Sequence, residues 1–335
     1  GINHQWSMSG RWEKPIENSI DALRHGMMEF DGVEFDMRLT MDGELVLFHN
    51  NHLSKEQVEQ IGGSKWTEDH TAEELAEVGV ETFEQLLADE AFTHSWREHG
   101  KVACVELKMP HPNSKIAGSV KPKKREKHAR SMAKLANSML NDVGLQQSNV
   151  VLISFKRKFR HTCARANVRW PVAQLKPTIP EIGGQKMKRI LTLPSFMWLS
   201  LAFHLKHQKM VGAPILPCAL EYVYGTTRHI TLGRTFGLKG YTARRLNRLR
   251  KGYQAYVWPA PIAVESSLHD LGLTGMTDDT SPETITHPGG GARWTRWASQ
   301  PLDSQRENLL RNADQSDHSA LIQEAAREVA RQKRK

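Results

Sequence analysis

The sequence predicts an α/β fold, a TIM (β/α)8 barrel with a C-terminal helical tail, from three observations. Strand-like apolar runs alternate with helical patterns, an alternation that is typical of a parallel sheet. Eight such runs can be counted along the chain. The chain has 335 residues, of which 39% are hydrophobic, enough for one barrel of about 250 residues with a full core.

The eight predicted strands lie at the segment ending at His4 and at 32–38, 44–49, 101–107, 150–155, 171–175, 254–258 and 274–278. Apolar residues at helical spacing predict a helix that begins near Ala129. An apolar run at 213–223 is left over as a ninth candidate, and residues 185–250 are not assigned. We expect residues 1–285 to form the barrel and residues 286–335 to form a hinge and an amphipathic tail.

The segment GVEFDMRLT predicts a strand with two acidic residues on one face. Glu34 and Asp36 are two residues apart, so their side chains point to the same side, whereas the intervening residues are apolar. Asp42-Gly43 then turns the chain into the next strand, which ends at His49. We therefore expect two carboxylates and a histidine to converge. The alternative is a strand with one polar, solvated face.

A third carboxylate follows on the strand KVACVELKMP, where Glu106 and Lys108 share a face. Carboxylates held close together repel each other unless a cation lies between them. Glu34, Asp36 and Glu106 are hard oxygen donors on neighbouring strands, which favours one Mg²⁺ or Ca²⁺ ion over zinc or copper.

Two helix starts accompany these strands. The segment PIENS, ending at Ser19, opens a helix whose apolar residues recur at helical spacing. In VETFEQLL, Thr82 is placed to cap a helix and Gln85 to return the hydrogen bond.

Together these segments resemble the glycerophosphodiester phosphodiesterase family, from Ile2 to about Pro282. The matching residues, in the order of the family's motifs, are His4, Glu17-Asn18-Ser19, Glu34-Phe35-Asp36, Asp42-Gly43, His49, Thr82-Phe83-Glu84, Glu106-Leu107-Lys108, Ser154-Phe155, Trp258 and Thr277-Asp278. Each motif is weak alone, and the resemblance depends on their fixed order.

The resemblance implies a metal-dependent phosphodiesterase that hydrolyses deacylated phospholipids to an alcohol and sn-glycerol 3-phosphate. It implies that Glu34, Asp36 and Glu106 hold the cation. It also implies that His4 and His49 are the general acid and base, tasks that suit histidine near neutral pH. The nucleophile stays open between water and the glycerol hydroxyl of the substrate.

The resemblance further implies substrate contacts by Lys108, Glu17 and Trp258. Lys108 would place a positive charge beside the phosphate. The alternative is a buried lysine that pairs with one of the acids.

The chain departs from the family pattern at two positions. Gln5 stands where the family has an arginine that faces the phosphate, and we expect Arg11 to replace it in contacting the substrate. Asn50 stands where the family has an aspartate, which loses a charge. Two alternatives stay open. One is a phospholipase D of the sphingomyelinase D type, which shares the barrel and the layout of acids and histidines. The other is a catalytically weak barrel that binds phosphorylated lipid headgroups, which the two departures and the basic loop suggest.

The formal net charge of +9 suits an anionic partner. We expect a small glycerophosphodiester substrate and keep open a peripheral contact with an anionic membrane. No nucleic acid is expected, because no recognised binding motif accompanies the basic runs. The basic segment 111–128 is predicted as a loop until near Ala129, either at the barrel mouth or simply solvated. Gly-x-Ser-x-Gly and Walker motifs are absent from the sequence, which argues against serine hydrolases and nucleoside triphosphatases.

Cys104, Cys163 and Cys218 are odd in number and widely spaced, which supports neither a disulfide framework nor a zinc site. We therefore expect a reducing, cytoplasmic compartment. The chain begins without Met and almost at His4, so a cleaved upstream signal stays open. The longest apolar stretch, 191–205, is interrupted by a proline and is too short to span a membrane.

Overall fold

The computed structural model describes residues 15–116, 122–156, 158–175, 215–219, 254–258 and 274–277. The chain divides into two compact units, with the boundary between Gln174 and Leu175. The strands are β1 (Gly32–Leu39), β2 (Leu45–Leu47), β3 (Val102–Leu107), β4 (Val150–Ser154) and β5 (Val172–Gln174) in the first unit, and β6 (Ile215–Ala219), β7 (Gln254–Trp258) and β8 (Thr274–Gly275) in the second. The helices are α1 (Ile20–Glu29), α2 (Lys55–Ile61), α3 (Ala72–Glu77), α4 (Phe83–Ala88), α5 (Glu90–Glu98), α6 (Pro122–Asp142) and α7 (Phe159–Arg165).

The sheet of the first unit has the strand order β2-β1-β3-β4-β5. β1, β3, β4 and β5 are parallel to their neighbours, and β2 is antiparallel to β1. In the second unit β6, β7 and β8 form a parallel sheet. Parallel strands with intervening helices are the pattern expected for βα repeats.

Two strands differ from the sequence-based count. The predicted strand at 44–49 is β2, an antiparallel hairpin arm, because the turn before it is far too short for the crossover that parallel pairing needs. The leftover run at 213–223 contains β6, which is parallel to β7. The predicted segment ending at His4 lies outside the described residues.

The hairpin between β1 and β2 has the predicted Asp-Gly turn. The Thr40 amide donates to the Glu44 carbonyl over 2.9 Å, and the Thr40 hydroxyl donates to Asp42 Oδ1 over 2.5 Å. Gly43 has a φ of 94°, a conformation that glycine adopts without steric penalty. The turn therefore sets the register that places His49 beside β1.

Both predicted helix starts are confirmed. The Ser19 hydroxyl accepts from the Ala22 amide at the start of α1. Thr82 and Gln85 form a capping box at α4, with hydrogen bonds of 3.1 Å and 2.7 Å. Such caps satisfy backbone amides that the first helical turn leaves unpaired.

The basic segment after β3 is partly helical, which corrects the predicted loop. α6 begins at Pro122, well before Ala129. Proline is favoured at the first helical position, and lysine and arginine are good helix formers, which explains the earlier start. The basic residues 123–127 therefore lie on the first turns of α6.

The core of the first unit lies against the apolar face of β1. Phe35 and Met37 are fully buried there and pack with residues of β3 and of helices α1, α5 and α6. Trp96 of α5 is also fully buried, and its indole Nε1 donates to the Asn149 carbonyl over 2.9 Å. Burial of such side chains stabilises the fold by about 1.5–3 kcal/mol each. The opposite face of β1 is left for polar residues. None of the described helices is long and apolar enough to cross a membrane.

Candidate active site

Three predicted carboxylates come together on the polar face of β1 and β3. Asp36 and Glu106 are direct neighbours in the parallel register, and Glu34 lies two residues before Asp36 on the same face. One carboxylate oxygen of each residue lies within 4.8 Å of the others. The register of two parallel strands is therefore sufficient to build this cluster.

The carboxylates differ in their contact with solvent. Asp36 and Glu106 are buried, with 3% and 6% of their surface exposed, whereas Glu34 is exposed. Burial raises the pKa of Glu106 to about 7, although Lys108 opposes the shift. Desolvation and the charges of Asp36 and Glu106 raise the pKa of Glu34 well above its ordinary range. Glu34 is exposed, so repulsion by the two neighbouring carboxylates accounts for the raised pKa better than desolvation does.

Lys108 is placed between two of the carboxylates. Its Nζ atom lies 2.8 Å from Asp36 Oδ1 and 3.0 Å from Glu106 Oε2, and its side chain is 14% exposed. Burial disfavours the charged ammonium, but the two carboxylates outweigh burial and raise the pKa of Lys108. Lys108 therefore pairs with two acids, whereas the alternative considered from the sequence was a buried lysine that pairs with one.

Asn18 fixes the orientation of Asp36. Its Nδ2 atom donates to Asp36 Oδ2 over 3.1 Å, and its Oδ1 atom accepts from the Asp36 amide over 2.8 Å. Asn18 has a φ of 60°, a left-handed conformation that asparagine tolerates better than most residues. The motif before α1 thus supplies a buried side chain that the sequence analysis had placed only as part of a helix opening.

A second cluster shares Asp36 with the first. Glu17, Asp36 and His49 each bring one ligand-type atom within 4.8 Å of the other two. Glu17 and His49 are exposed, so this side of the cluster is open to water. The second cluster therefore places a histidine and a further carboxylate beside Asp36, the residue that both clusters share.

The donor set fits a hard divalent cation. Each of the three carboxylates offers oxygen atoms, which are the preferred ligands of Mg²⁺ and Ca²⁺. Asp36 Oδ1 is buried and, apart from its ion pair with Lys108, receives no well-directed hydrogen bond from the described part of the chain. A cation at this oxygen would therefore not displace a hydrogen-bond donor other than Lys108.

Four of the predicted site residues lie outside the described part of the first unit. His4, Gln5 and Arg11 lie outside the described residues. Trp258 is the last residue of β7 in the second unit and is half-buried. Asn50 is exposed on the segment after β2.

A buried ion pair beside the cluster was missed from the sequence. Arg38 follows Asp36 by two residues on β1, and its Nη1 atom lies 2.5 Å from Glu68 Oε1. The two side chains are 4% and 1% exposed. The alternation of β1 alone could have placed Arg38 on the polar face, but nothing in the sequence singles out its partner.

Comparison with known proteins identifies the family. The family model described as the glycerophosphoryl diester phosphodiesterase family matches residues 4–181, more than half of the chain. No curated protein sequence is similar enough to match the chain.

Among solved structures, a glycerophosphodiester phosphodiesterase from Parabacteroides distasonis has 18% identity and a TM-score of 0.53, over 84% of this chain and 91% of that one. A glycerophosphodiester phosphodiesterase from Thermotoga maritima has 16% identity and a TM-score of 0.48, over 80% and 90% of the two chains. A phosphodiesterase from Oleispira antarctica, solved in complex with its product sn-glycerol-3-phosphate, has 15% identity and a TM-score of 0.49, over 82% and 90%.

The structural similarity to the Parabacteroides enzyme shows the fold, so the predicted α/β barrel is confirmed. The family match covers β1 to β5, and with them every residue of the two clusters. The chain therefore belongs to the glycerophosphoryl diester phosphodiesterase family and is an enzyme of that class, a phosphodiester hydrolase.

Proposed function

We propose that this enzyme hydrolyses glycerophosphodiesters to an alcohol and sn-glycerol 3-phosphate, with one divalent cation held by Glu34, Asp36 and Glu106. The observation that supports the proposal most directly is the sharing of Asp36 by the two clusters. A cation bound to the three carboxylates would lie near His49, which would then exchange a proton with the phosphate ester bound to that cation.

The residues present favour Mg²⁺ or Ca²⁺ over softer metals, since all three ligands are carboxylates. When bound, the cation would offset the charge of the phosphate and orient the ester for in-line attack. The raised pKa values of Glu34 and Glu106 support the same proposal, because a cation bound between carboxylates offsets both their burial and their mutual repulsion.

The residues of the chain itself would perform the proton transfers. In the reaction, the bond from phosphorus to the leaving oxygen breaks and a bond to the attacking oxygen forms. His49 would either take the proton of the attacking group or give one to the departing alcohol, and His4 would perform the other task. Lys108, held by Asp36 and Glu106, would add a second positive charge beside the phosphate.

The test is an assay of purified full-length protein with glycerophosphocholine, glycerophosphoethanolamine and glycerophosphoglycerol. Each substrate is offered with Mg²⁺, Ca²⁺ or excess chelator, and released glycerol 3-phosphate is measured. We expect turnover with a divalent cation and none in chelator. Full turnover in chelator would contradict the cation site. Release of the phosphorylated head-group alcohol instead of glycerol 3-phosphate would contradict the proposed cleavage position.

Variants connect the activity to the residues. Asp36→Asn should abolish turnover, because it changes the carboxylate shared by both clusters. Glu84→Gln is the matched control, since Glu84 is an exposed carboxylate on α4. Circular dichroism should show that both variants are folded. Phosphorus NMR during turnover separates the two nucleophiles, because attack by the glycerol hydroxyl passes through a cyclic phosphate and attack by water does not.

A further inference from the structure

The buried ion pair of Arg38 and Glu68 touches the segment that carries His49. Arg38 Nη1 lies 2.5 Å from Glu68 Oε1, and Arg38 Nη2 donates to the His49 carbonyl over 2.9 Å. One guanidinium thus joins a carboxylate and the backbone of the histidine that the proposed function uses. The planar fork of arginine allows both contacts at once, which a lysine could not reproduce.

Few other hydrogen bonds of the described residues join the segment around His49 to β1. β2 ends at Leu47, and beyond it the Phe48 amide donates to the Asp36 carbonyl over 3.1 Å. The His49 carbonyl is held by a side chain of β1 rather than by a ladder hydrogen bond. Arg38 and the Phe48 amide therefore both join the segment that carries His49 to β1.

Glu68 is itself held by the segment after His49. It lies in a short 3₁₀ turn, Thr67–Asp69. The Thr67 hydroxyl donates to the Asn50 carbonyl, and the Thr67 amide donates to the Asn51 carbonyl, both over 3.4 Å. The turn that supplies Glu68 and the segment that supplies His49 are thus joined to each other as well as to Arg38.

Stability alone does not explain this ion pair. Burial lowers the pKa of Arg38 and raises the pKa of Glu68, and each partner opposes the shift of the other. An ion pair that is so deeply buried contributes little net stability, because lost hydration offsets the attraction, and an apolar pair of similar volume often stabilises a fold as well. An apolar pair would not bind the His49 carbonyl, which accepts a hydrogen bond from Arg38.

We propose that Arg38 and Glu68 are positioning residues that hold His49 in place for proton transfer. Arg38 fixes the His49 carbonyl, and Glu68 fixes the guanidinium of Arg38. This inference rests on the proposed role of His49. It assigns neither residue to the cation or to the substrate.

The test is a double-mutant cycle in kcat, measured with saturating divalent cation on glycerophosphocholine. Single replacement of Arg38 would leave Glu68 buried and unpaired, which destabilises the fold for a reason unrelated to catalysis. We therefore use the double variant Arg38→Met/Glu68→Leu, which removes both charges. It should fold and bind the cation as the wild type does, and its kcat should fall by about 10- to 100-fold, as expected for a displaced catalytic group.

The decisive comparison repeats the double variant in a His49→Ala background. If Arg38 and Glu68 act through His49, the double replacement should lower kcat no further there. An equal loss in both backgrounds, or wild-type kcat in the folded double variant, would overturn the inference. Wild-type kcat in His49→Ala alone would instead overturn the proposed role of His49, so the two failures are distinguishable.

Two further variants complete the experiment. If the double variant does not fold, Arg38→Lys takes its place in the same cycle, because it keeps the charge beside Glu68 and loses the fork. Arg24→Met is the control, since Arg24 of α1 forms an ion pair of 2.5 Å with Asp89, the residue that caps α5. Its kcat should equal that of the wild type, and a loss similar to that of the double variant would show that any broken ion pair reduces activity.

Discussion

His128 is expected to make the stability of the fold depend on pH below neutrality. It lies on α6 with 7% of its surface exposed, and its Nε2 atom has no hydrogen-bond partner among the described residues. Burial and then the charge of Arg38 lower the pKa of His128 to about 4. In the unfolded chain the same imidazole titrates near 6.5, as exposed histidines do.

The sign of the effect follows from these two values. Between about pH 6.5 and about pH 4 the unfolded chain binds a proton at His128 that the folded chain does not bind. This contribution to stability is therefore complete above about pH 6.5 and is lost as the pH falls towards 4. The difference in pKa gives a loss of about 2 kcal/mol between pH 7.5 and pH 5, from 1.36 kcal/mol per pKa unit.

The assay is urea denaturation of the full chain in chelator at the two pH values, followed by circular dichroism. Glu106 works in the opposite direction, because its pKa is raised in the folded state. The readout is therefore the difference between wild type and His128→Leu, in which the contribution of Glu106 cancels. We expect the wild type to lose about 2 kcal/mol more than His128→Leu over this range.

An exposed histidine provides the control. His94 lies on the exposed face of α5, so His94→Gln should lose as much stability as the wild type between the two pH values. If His128→Leu and the wild type show the same pH dependence, then His128 is not held neutral in the fold, and the reasoning from burial is refuted.

Three further predictions concern the active site. His49→Ala should lower kcat by about 10²- to 10⁴-fold with unchanged cation affinity, as for a group that only transfers protons; a cation titration and steady-state kinetics check this, and a kcat close to wild type would reassign His49 to a structural role. Asn18→Ala should weaken cation binding by about 10- to 100-fold, because it frees the orientation of Asp36; calorimetric titration with Mg²⁺ measures the change, and unchanged affinity would show that Asp36 is held by other contacts. Arg11→Ala should raise KM by about tenfold if its guanidinium binds the substrate phosphate; an unchanged KM would show that Lys108 and the cation suffice.

The features that the sequence predicted correctly are local ones. The faces of β1 follow from the alternation of strand residues, and the turn at Gly43 and the caps at Ser19 and Thr82 each depend on a few neighbouring residues. The order of the motifs was enough to indicate the family. For these features the chemistry of the residues and their spacing decide the structure.

The features that were missed depend on contacts between distant segments. The run that contains β6 was left over because a count of eight strands had no place for it, and its pairing with β7 joins segments that are far apart in the sequence. Glu68 lies in a short turn between helices, where no periodicity indicates burial. Its pairing with Arg38 could be seen only once the fold brought the two residues together.

The hairpin arm β2 has a consequence for how activity can be lost. Asp36 lies on β1 and Glu106 on β3, and each of these strands has a partner on both sides. His49 instead follows β2, a three-residue strand at the end of the described sheet. Edges of this kind open locally more readily than central strands do. Amide hydrogens of Leu45–Leu47 should accordingly exchange with solvent before those of β3. Mild denaturant would then produce a population in which Asp36 and Glu106 keep their places while His49 has lost its own, and inactivation would precede unfolding.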